Sequence, residues 1–530
     1  MPVYESLRNV AIIGSSGTNH SEAFQQWKCI RNRLAETIKD YVDGCSALML
    51  ACSQPAEPYP NRPTLDCTLL SLSNELPSLA QAEIQLYTSR AKLSALRNRS
   101  PSLSPISTLS PEILSRIFIL SSLSCVRSGS SHKNQQFLCP VVFASVCSSW
   151  HRTALATGRL WSHIDLAPNS DPTYRLYKRA RVWTTRASDA PLHIHIHERA
   201  CAKDDEISQL VSFLSPFMKR VCTLTINTEC HSLDLFESTL ACWLEHGRAG
   251  SMRTLDLRRP RPNPLLASFG PQVIRRLPRE HLDEFLQPIQ TLHLHNVCMG
   301  WSVSTAYRGL VELRVESLAD VAGPTVSQLA AVLRGCPQLR RLKLARINFR
   351  YEEVEEDVVA PRVYLAHLEE LNLLAVNLSV LRLLLPVLEI GARPLAMSVT
   401  LGAQPNIFEE LSSFFGRTHV SKLYLDACHQ DWVPLLFSSL GHLRTLVISN
   451  YALLQNIYAE SSPQAEPEAP EEPGICAQLR SLSLIGSDLS LEPLKNMLKA
   501  HPALDALNIW RCQLRTLDTE LNKRANLAEI

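Results

Sequence analysis

Apolar residues follow two different periods along this chain, and the change of period divides it. In residues 21 to 53, Phe24, Trp27, Ile30, Leu34, Ile38 and Tyr41 recur at steps of three and four, which predicts one apolar helical face, weakened late by Gly44. Pro55, Pro58 and Pro60 then interrupt any helix and mark a linker over 53 to 63. Leu79, Ile84, Tyr87, Ala91 and Leu96 keep roughly helical spacing and predict a second helix over Leu79 to Arg97. Dimerisation through a short coiled coil is one reading of this pair, although the heptad carried by these residues is broken and spans few turns. Residues 1 to 100 thus read as a helical N-terminal region.

Ser110, Pro111 and Glu112 supply a capping oxygen, a pre-set φ and an acid for the positive end of a helix, so a helix starts at about Pro111. Ile113, Leu114, Ile117, Phe118 and Leu120 form its apolar stripe. After a serine-rich loop, Val142, Phe143, Val146, Cys147, Trp150, Ala154 and Leu155 repeat the helical step, and Leu160 and Trp161 close the unit.

Leu109-Ser-Pro-Glu-Ile-Leu-Ser-Arg-Ile-Phe118, then Val146-Cys-Ser-Ser-Trp150, then Leu160-Trp161, resembles the F-box family, particularly its fungal members, over residues 105 to 166. Ser110 stands where that family usually has proline after the leucine, and the loop from Ser121 to Cys139 is long. The resemblance implies a module that inserts into a groove on a Skp-type adaptor, itself linked to a cullin and a ubiquitin-conjugating enzyme. By matching positions it assigns Leu109, Pro111, Ile113, Leu114, Ile117, Val146 and Trp150 to that interface or its immediate support.

From about Val221 a shorter pattern recurs: an apolar residue, two spacers, a leucine, one spacer and another aliphatic. Examples are Met252-Leu255-Leu257, Leu310-Leu313-Val315, Leu339-Leu342-Leu344, Leu368-Leu371-Leu373, Ala396-Val399-Leu401, Val420-Leu423-Leu425 and Leu443-Leu446-Ile448. From Leu313 to Leu446 the central positions lie 23 to 29 residues apart, longer intervals from Leu224 to Leu255, Leu255 to Leu292 and Leu446 to Leu482 interrupt the array, and the pattern is the leucine-rich repeat signature. Period-two alternation in Leu339-Arg-Arg-Leu-Lys-Leu344 marks a strand, and Val326 to Leu333 has helical spacing. The fold class predicted is therefore α/β: an N-terminal all-helical region with F-box-like helices, then a leucine-rich-repeat solenoid, or horseshoe, with a parallel sheet over 190 to 530. About eleven repeats would build a sheet roughly 50 Å along its edge. The core aliphatics alternate with Arg314, Lys343, Asn372 and Tyr424, candidates for substrate binding on the opposite face, in one row with Asp256, His293, Val447, Ser483 and Asn508. The acidic, proline-rich stretch Ala465 to Pro473 predicts a flexible loop over 460 to 474.

The remaining composition narrows the function. Lys plus Arg number 53 against 51 for Asp plus Glu, so no global field draws the chain to nucleic acid or to an acidic membrane. No apolar run reaches a membrane-spanning length and none resembles a signal peptide, and the 16 scattered cysteines then read as reduced thiols of a cytoplasmic or nuclear protein. Gly14-Ser-Ser-Gly17 lacks the following Gly-Lys-Ser/Thr of a phosphate loop. His193, His195 and His197 alternate on one strand face with Cys201 nearby, which fits a metal geometrically and fits a half-buried strand better, with Leu192, Ile194 and Ile196 inward.

No catalytic constellation, cofactor motif or metal spacing emerges, so the sequence predicts a non-enzymatic subunit. Its expected role is substrate recognition in a Skp-cullin-F-box ubiquitin ligase, with the F-box on the adaptor and the repeats on a protein target whose identity the sequence does not specify. The alternatives left open are an adaptor-bound scaffold or regulator without a degraded substrate, and an enzyme with its site hidden in the repeat insertions.

Overall fold

The computed structural model describes residues 20–53, 62–98, 100, 102–123, 140–168, 175–230, 232–260, 282–301, 307–318, 323–350, 362–402, 407–428, 439–449, 452–453, 478–490, 494–495, 498–499 and 501–515. The Gly14 to Gly17 segment and the acidic stretch at 460 to 474 fall outside them. The chain forms two units, Met1–Leu109 and Ser110–Ile530.

The N-terminal unit is helical. Its helices His20–Ser53 and Arg62–Asn98 both exceed the sequence prediction, and the second begins seventeen residues before Leu79 and carries Pro77 inside it. A short 3₁₀ turn, Pro105–Thr108, follows, with the Ser107 hydroxyl donating to the Asn98 carbonyl at 2.7 Å.

The second unit opens with three short helices, Pro111–Leu123, Pro140–Val146 and Ser148–Ala156. Cys147 caps the third by accepting from the Trp150 amide. Buried Trp161 donates its indole N–H to the Ala154 carbonyl at 2.7 Å and so ties the following turn to that helix. Phe118 lies against Phe143 (ring centroids 4.7 Å) and Trp150 (4.9 Å), the aromatic centre on which the helices pack.

Among the described residues the rest is mixed α/β around one sheet of thirteen strands, every adjacent pair parallel and the strands in chain order. Helices such as Asp234–His246, Val326–Arg334 and Phe408–Gly416 connect successive strands. Parallel neighbours need such crossovers, because a tight turn can only reverse the chain. Two smaller parallel pairings, of two and three strands, stand beside the main sheet.

Register explains the leucine pattern. Leu224, Leu255, Leu292, Leu313, Leu342 and Leu371 pair laterally, strand to strand, and all are buried. Two sequence readings need correction. The sheet starts at strand His163–Leu166, inside the span assigned to the helical module and well before residue 190. The repeat around 396 was framed two residues late: Met397 pairs with Leu371 and Leu423, whereas Val399 pairs with Leu373 and Leu425. Because strand side chains alternate with period two, a slip of two keeps the same face buried and leaves no trace in the hydrophobic pattern.

The exits of the strands repeat as well. Asn296, Ser317, Arg346 and Ala375 all adopt a left-handed backbone with φ of 53°, 61°, 54° and 54°. The amides of the first three donate to carbonyls of the next repeat, Glu316, Ala345 and Leu374. A single turn geometry is therefore kept although none of these four residues is glycine.

Cys201 and Cys230 are joined in a disulfide with a Cα–Cα distance of 5.2 Å, which corrects the reading of every cysteine as a thiol. Their strands, Leu192–Glu198 and Val221–Thr228, end side by side, so residues just past both ends meet. No helix among the described residues is long and apolar enough to cross a membrane.

Candidate protein-binding surfaces

Among the described residues, two surfaces present side chains that are at least partly exposed. The first lies on the short helices. Along Pro111–Leu123 the inward positions are Leu114 and Phe118, four residues apart and fully buried, while Ile113, Ile117 and Leu120 face outward, with Ile113 51% exposed. Along Pro140–Val146, Phe143 points inward and Val142 and Val146 outward, Val146 being 52% exposed. Each helix thus has two apolar faces, of which the core uses one.

Of the residues assigned from the sequence, Ile113, Ile117 and Val146 are on the open faces. Leu114 is only 2% exposed and belongs to the interior, Trp150 is half-buried against Phe118, and Pro111 is exposed at the helix start. Leu109 lies in the N-terminal unit, half-buried. Leu120 and Val142 extend the open faces; both had been seen as part of a helical stripe, but a stripe on a helical wheel does not separate inward from outward when both sides are apolar.

The second surface is the polar face of the large sheet. Its middle row runs Asp256, His293, Arg314, Lys343, Asn372, Ser398, Tyr424, Val447, Ser483, Asn508, each paired with the next. The four candidates Arg314, Lys343, Asn372 and Tyr424 therefore do align. Ser398 was missed because of the frame slip, and Asp165, His195 and Thr225 extend the row upstream.

These side chains are tied to one another. Glu312, with a side chain 5% exposed, meets His293 Nε2 at 2.9 Å, Arg314 Nε at 2.5 Å and Arg341 at 2.6 Å. His293 Nδ1 faces Asp256 at 3.3 Å, and Arg258 donates to Asp256 at 2.8 and 2.7 Å. Lys343 pairs with Glu316 at 2.8 Å. Tyr424 donates to Ser449 Oγ at 3.0 Å, which donates to Asp426 at 2.6 Å, and Asn372 accepts from the Leu374 amide. Arg314 is thus more than an exposed row residue: it neutralises a buried carboxylate, so removing it leaves Glu312 with one cation fewer.

The electrostatics follow from that geometry. Burial by itself raises the Glu312 carboxyl, but the hydrogen bond from His293 and the charges of Arg314 and Arg341 prevail and bring it down to about 2. The His295 ring beside it, at 3.8 Å, and Lys343 bring Glu316 to about 2 against burial. Burial lowers His293, yet hydrogen bonds to two carboxylates outweigh it and the net direction is upward. A carboxylate facing each ring nitrogen favours the charged form of His293 over the neutral one. At the other end of the sheet, burial and neighbouring imidazoles depress His163 to about 3 and His193 to about 4, their rings stacked at 4.5 Å.

His193, His195 and His197 point to the polar face while Leu192, Ile194 and Ile196 are buried. Among the described residues no group of three or more His, Cys, Asp or Glu side chains is placed to hold a metal ion. A depression lined by Ile390, Arg417, His419 and His442 brings two imidazoles within 4.7 Å, but its Arg417 guanidinium is engaged by the Leu385 and Leu388 carbonyls. No family model matches the chain, and no curated protein matches it.

Proposed function

We propose that this protein is the substrate-recognition subunit of a Skp-cullin-F-box type ubiquitin ligase, with an F-box-like module at 105 to 166 and a leucine-rich-repeat solenoid built on the large sheet. The observation that carries this reading is the uncovered apolar face formed by Ile113, Ile117, Leu120, Val142 and Val146, on helices that bear the motif resembling an F-box. Exposed aliphatics in two helices that already own a packed core favour a protein partner over solvent, at about 25 cal/mol for each Å² covered. Thirteen parallel strands in chain order, with leucines in lateral register, support the solenoid part of the reading.

Catalysis in this reading is by proximity. A target held on the sheet face lies at high effective concentration beside a charged conjugating enzyme, and no group of this chain touches the reacting atoms. The test is copurification of a Skp adaptor with the intact protein and with Ile117→Asp. That side chain is partly exposed, so the helix core survives while a carboxylate must be desolvated in the interface. Loss of the adaptor with an unchanged melting temperature is the expected result. Wild-type recovery of the adaptor by the variant, or no adaptor with either protein, overturns the reading.

A further inference from the structure

On the polar face of the large sheet the carboxylates lie low and the cations stand over them. Asp256, Glu312 and Glu316 have side chains 5 to 20% exposed, whereas Arg258, Arg314, Arg341, Lys343 and Arg346 are 31 to 52% exposed. They belong to the strands Thr254–Arg258, Glu312–Glu316 and Arg341–Ala345, with Arg346 just past the last. Glu370, exposed and paired in register with Arg341, brings the carboxylates of this region to four against those five cations. Three of the four are recessed, so an approaching chain meets positive groups first.

The recessed acids also fix the cations in place. Asp256 holds Arg258, Glu312 holds Arg314 and Arg341, and Glu316 holds Lys343 at 2.8 Å with Arg346 at 4.0 Å. Arg314 meets Glu312 through Nε, and Arg341 meets it through one terminal nitrogen. A guanidinium carries five N–H donors, so both retain donors beyond those that these contacts use. Carboxylates are the groups whose planar geometry matches them. Cations already ordered before a ligand arrives lower the entropy cost of binding it.

Beyond Lys343 the middle row changes character. It is neutral at Asn372 and Ser398 and then presents Tyr424 and Val447, register partners that are half-buried on the polar side. From Lys343 to Tyr424 is three strand spacings, about 14 Å. An extended peptide rises about 3.3 Å per residue, so four residues cover that distance.

We propose that this row binds an extended peptide segment of the target, with clustered aspartate or glutamate side chains over Arg314, Arg341 and Lys343 and an aromatic or aliphatic side chain four residues away over Tyr424 and Val447. The inference rests on the reading of the sheet face as the target-binding surface, and it specifies what the target must display. A nucleic-acid strand is the poorer match. Binding a phosphate backbone needs an unbroken basic track, and here Asp256, Glu316 and Glu370 interrupt the cations. A short cluster of carboxylates needs only the width of the strands that carry Arg314 and Lys343.

Selection from a library of short random peptides against the full chain, followed by fluorescence anisotropy of the enriched sequences, tests the proposal. Enriched peptides are expected to carry neighbouring aspartates or glutamates with an aromatic or aliphatic residue about four positions away. Their Kd should rise with salt, and should rise at least tenfold for Arg341→Gln/Lys343→Gln. Asn372→Asp is the second variant: it keeps the acceptor used by the Leu374 amide, removes no cation and sets a carboxylate between the two contact points. It should weaken the same peptides even if the first variant is destabilised. No enriched peptide, enrichment without an acidic excess, variants that bind like the wild type, or a single-stranded oligonucleotide bound more tightly than the peptides each overturns the proposal. Copurification of the adaptor reports separately on the ligase reading. Adaptor recovered without acidic peptides sinks this inference alone, and acidic peptides bound without any adaptor sink that reading alone.

Discussion

Glu312 and His293 hold each other across adjacent strands, Oε1 to Nε2 at 2.9 Å, in the middle of the polar sheet face. Two guanidinium groups and the His293 ring converge on that one carboxylate, while Leu313 and Val315 on the same strand lie in the core. A Glu312→Gln variant keeps the shape and removes the charge, leaving His293, Arg314 and Arg341 without their shared counter-ion. Because Arg314 and Arg341 are about half exposed and His293 keeps Asp256, the loss should be about 1.5 to 3 kcal/mol, the scale of hydrogen bonds to a charged group. Urea denaturation should show a lower midpoint with an unchanged slope, and a loss below about 1 kcal/mol would mean that the network contributes only as an exposed salt bridge does.

Two groups of histidines on the same sheet should respond to pH in opposite senses. His163 and His193 have folded values of about 3 and about 4, below the ordinary 6.5, because burial and neighbouring imidazoles disfavour the charged ring. Their contribution is present above the unfolded value and is lost as pH falls below about 6.5 toward 4. His293 is raised, so its contribution is present below about 6.5 and is lost as pH rises through its folded value. Glu312 and Glu316, at about 2, stay ionised across this window. Acidification from pH 7 to 5 should therefore destabilise the wild type by about 4 kcal/mol more than a His163→Gln/His193→Gln variant, roughly 2 kcal/mol for each histidine. Parallel pH curves for the two proteins would contradict the assignment.

The sheet was legible because its rule is local and repeated. Period-two leucines mark the strands and helical segments between them require parallel order, so the alignment of Arg314, Lys343, Asn372 and Tyr424 could be read without coordinates. The frame at Met397 could not, since a slip of two residues preserves the buried face. Nor could the partners of Arg314, because Glu312 stands two residues before it on the same strand and looks equally solvated in sequence. In the N-terminal unit the second helix starts at Arg62 and not at Leu79, and Pro77 inside it disguised its earlier turns in the sequence. Inward and outward faces of Pro111–Leu123 were inseparable for a different reason: Leu114 and Ile113 are equally apolar, and only packing distinguishes them.

The repeated left-handed turn at the strand exits contains a residue that gains nothing from its side chain there. Ala375 sits at φ 54° and is exposed, and its amide donates to Thr400 Oγ1 at 2.9 Å. Glycine keeps that amide and removes the Cβ clash of a left-handed L-residue, which costs about 1 kcal/mol or more, against the larger entropy glycine loses on folding. Ala375→Gly should accordingly be neutral to stabilising, by up to about 1 kcal/mol, where the same change inside a strand or helix would destabilise. A clear fall in melting temperature would show that this turn is not held in the left-handed region in solution.

Tyr424 offers the cleanest separation of binding from folding on the sheet face. Its flanking residues Leu423 and Leu425 are buried in the core, whereas its own ring stands on the polar side and its hydroxyl donates to Ser449 at 3.0 Å. Ser449 keeps a second partner, Asp426 at 2.6 Å, so removing the tyrosine strands no buried charge. The loss in stability for Tyr424→Ala should stay near 1 kcal/mol, since one neutral hydrogen bond is worth about that much. Arg314→Ala differs, because it takes a cation from buried Glu312 and should cost more. If a protein target lies along the row, an interface tyrosine contributes roughly 2 kcal/mol or more to binding. Affinity purification with the Tyr424→Ala protein should then lose at least one partner recovered with the wild type, while adaptor recovery and melting temperature stay nearly unchanged. Retention of every partner at full affinity would remove this row from the target-binding surface.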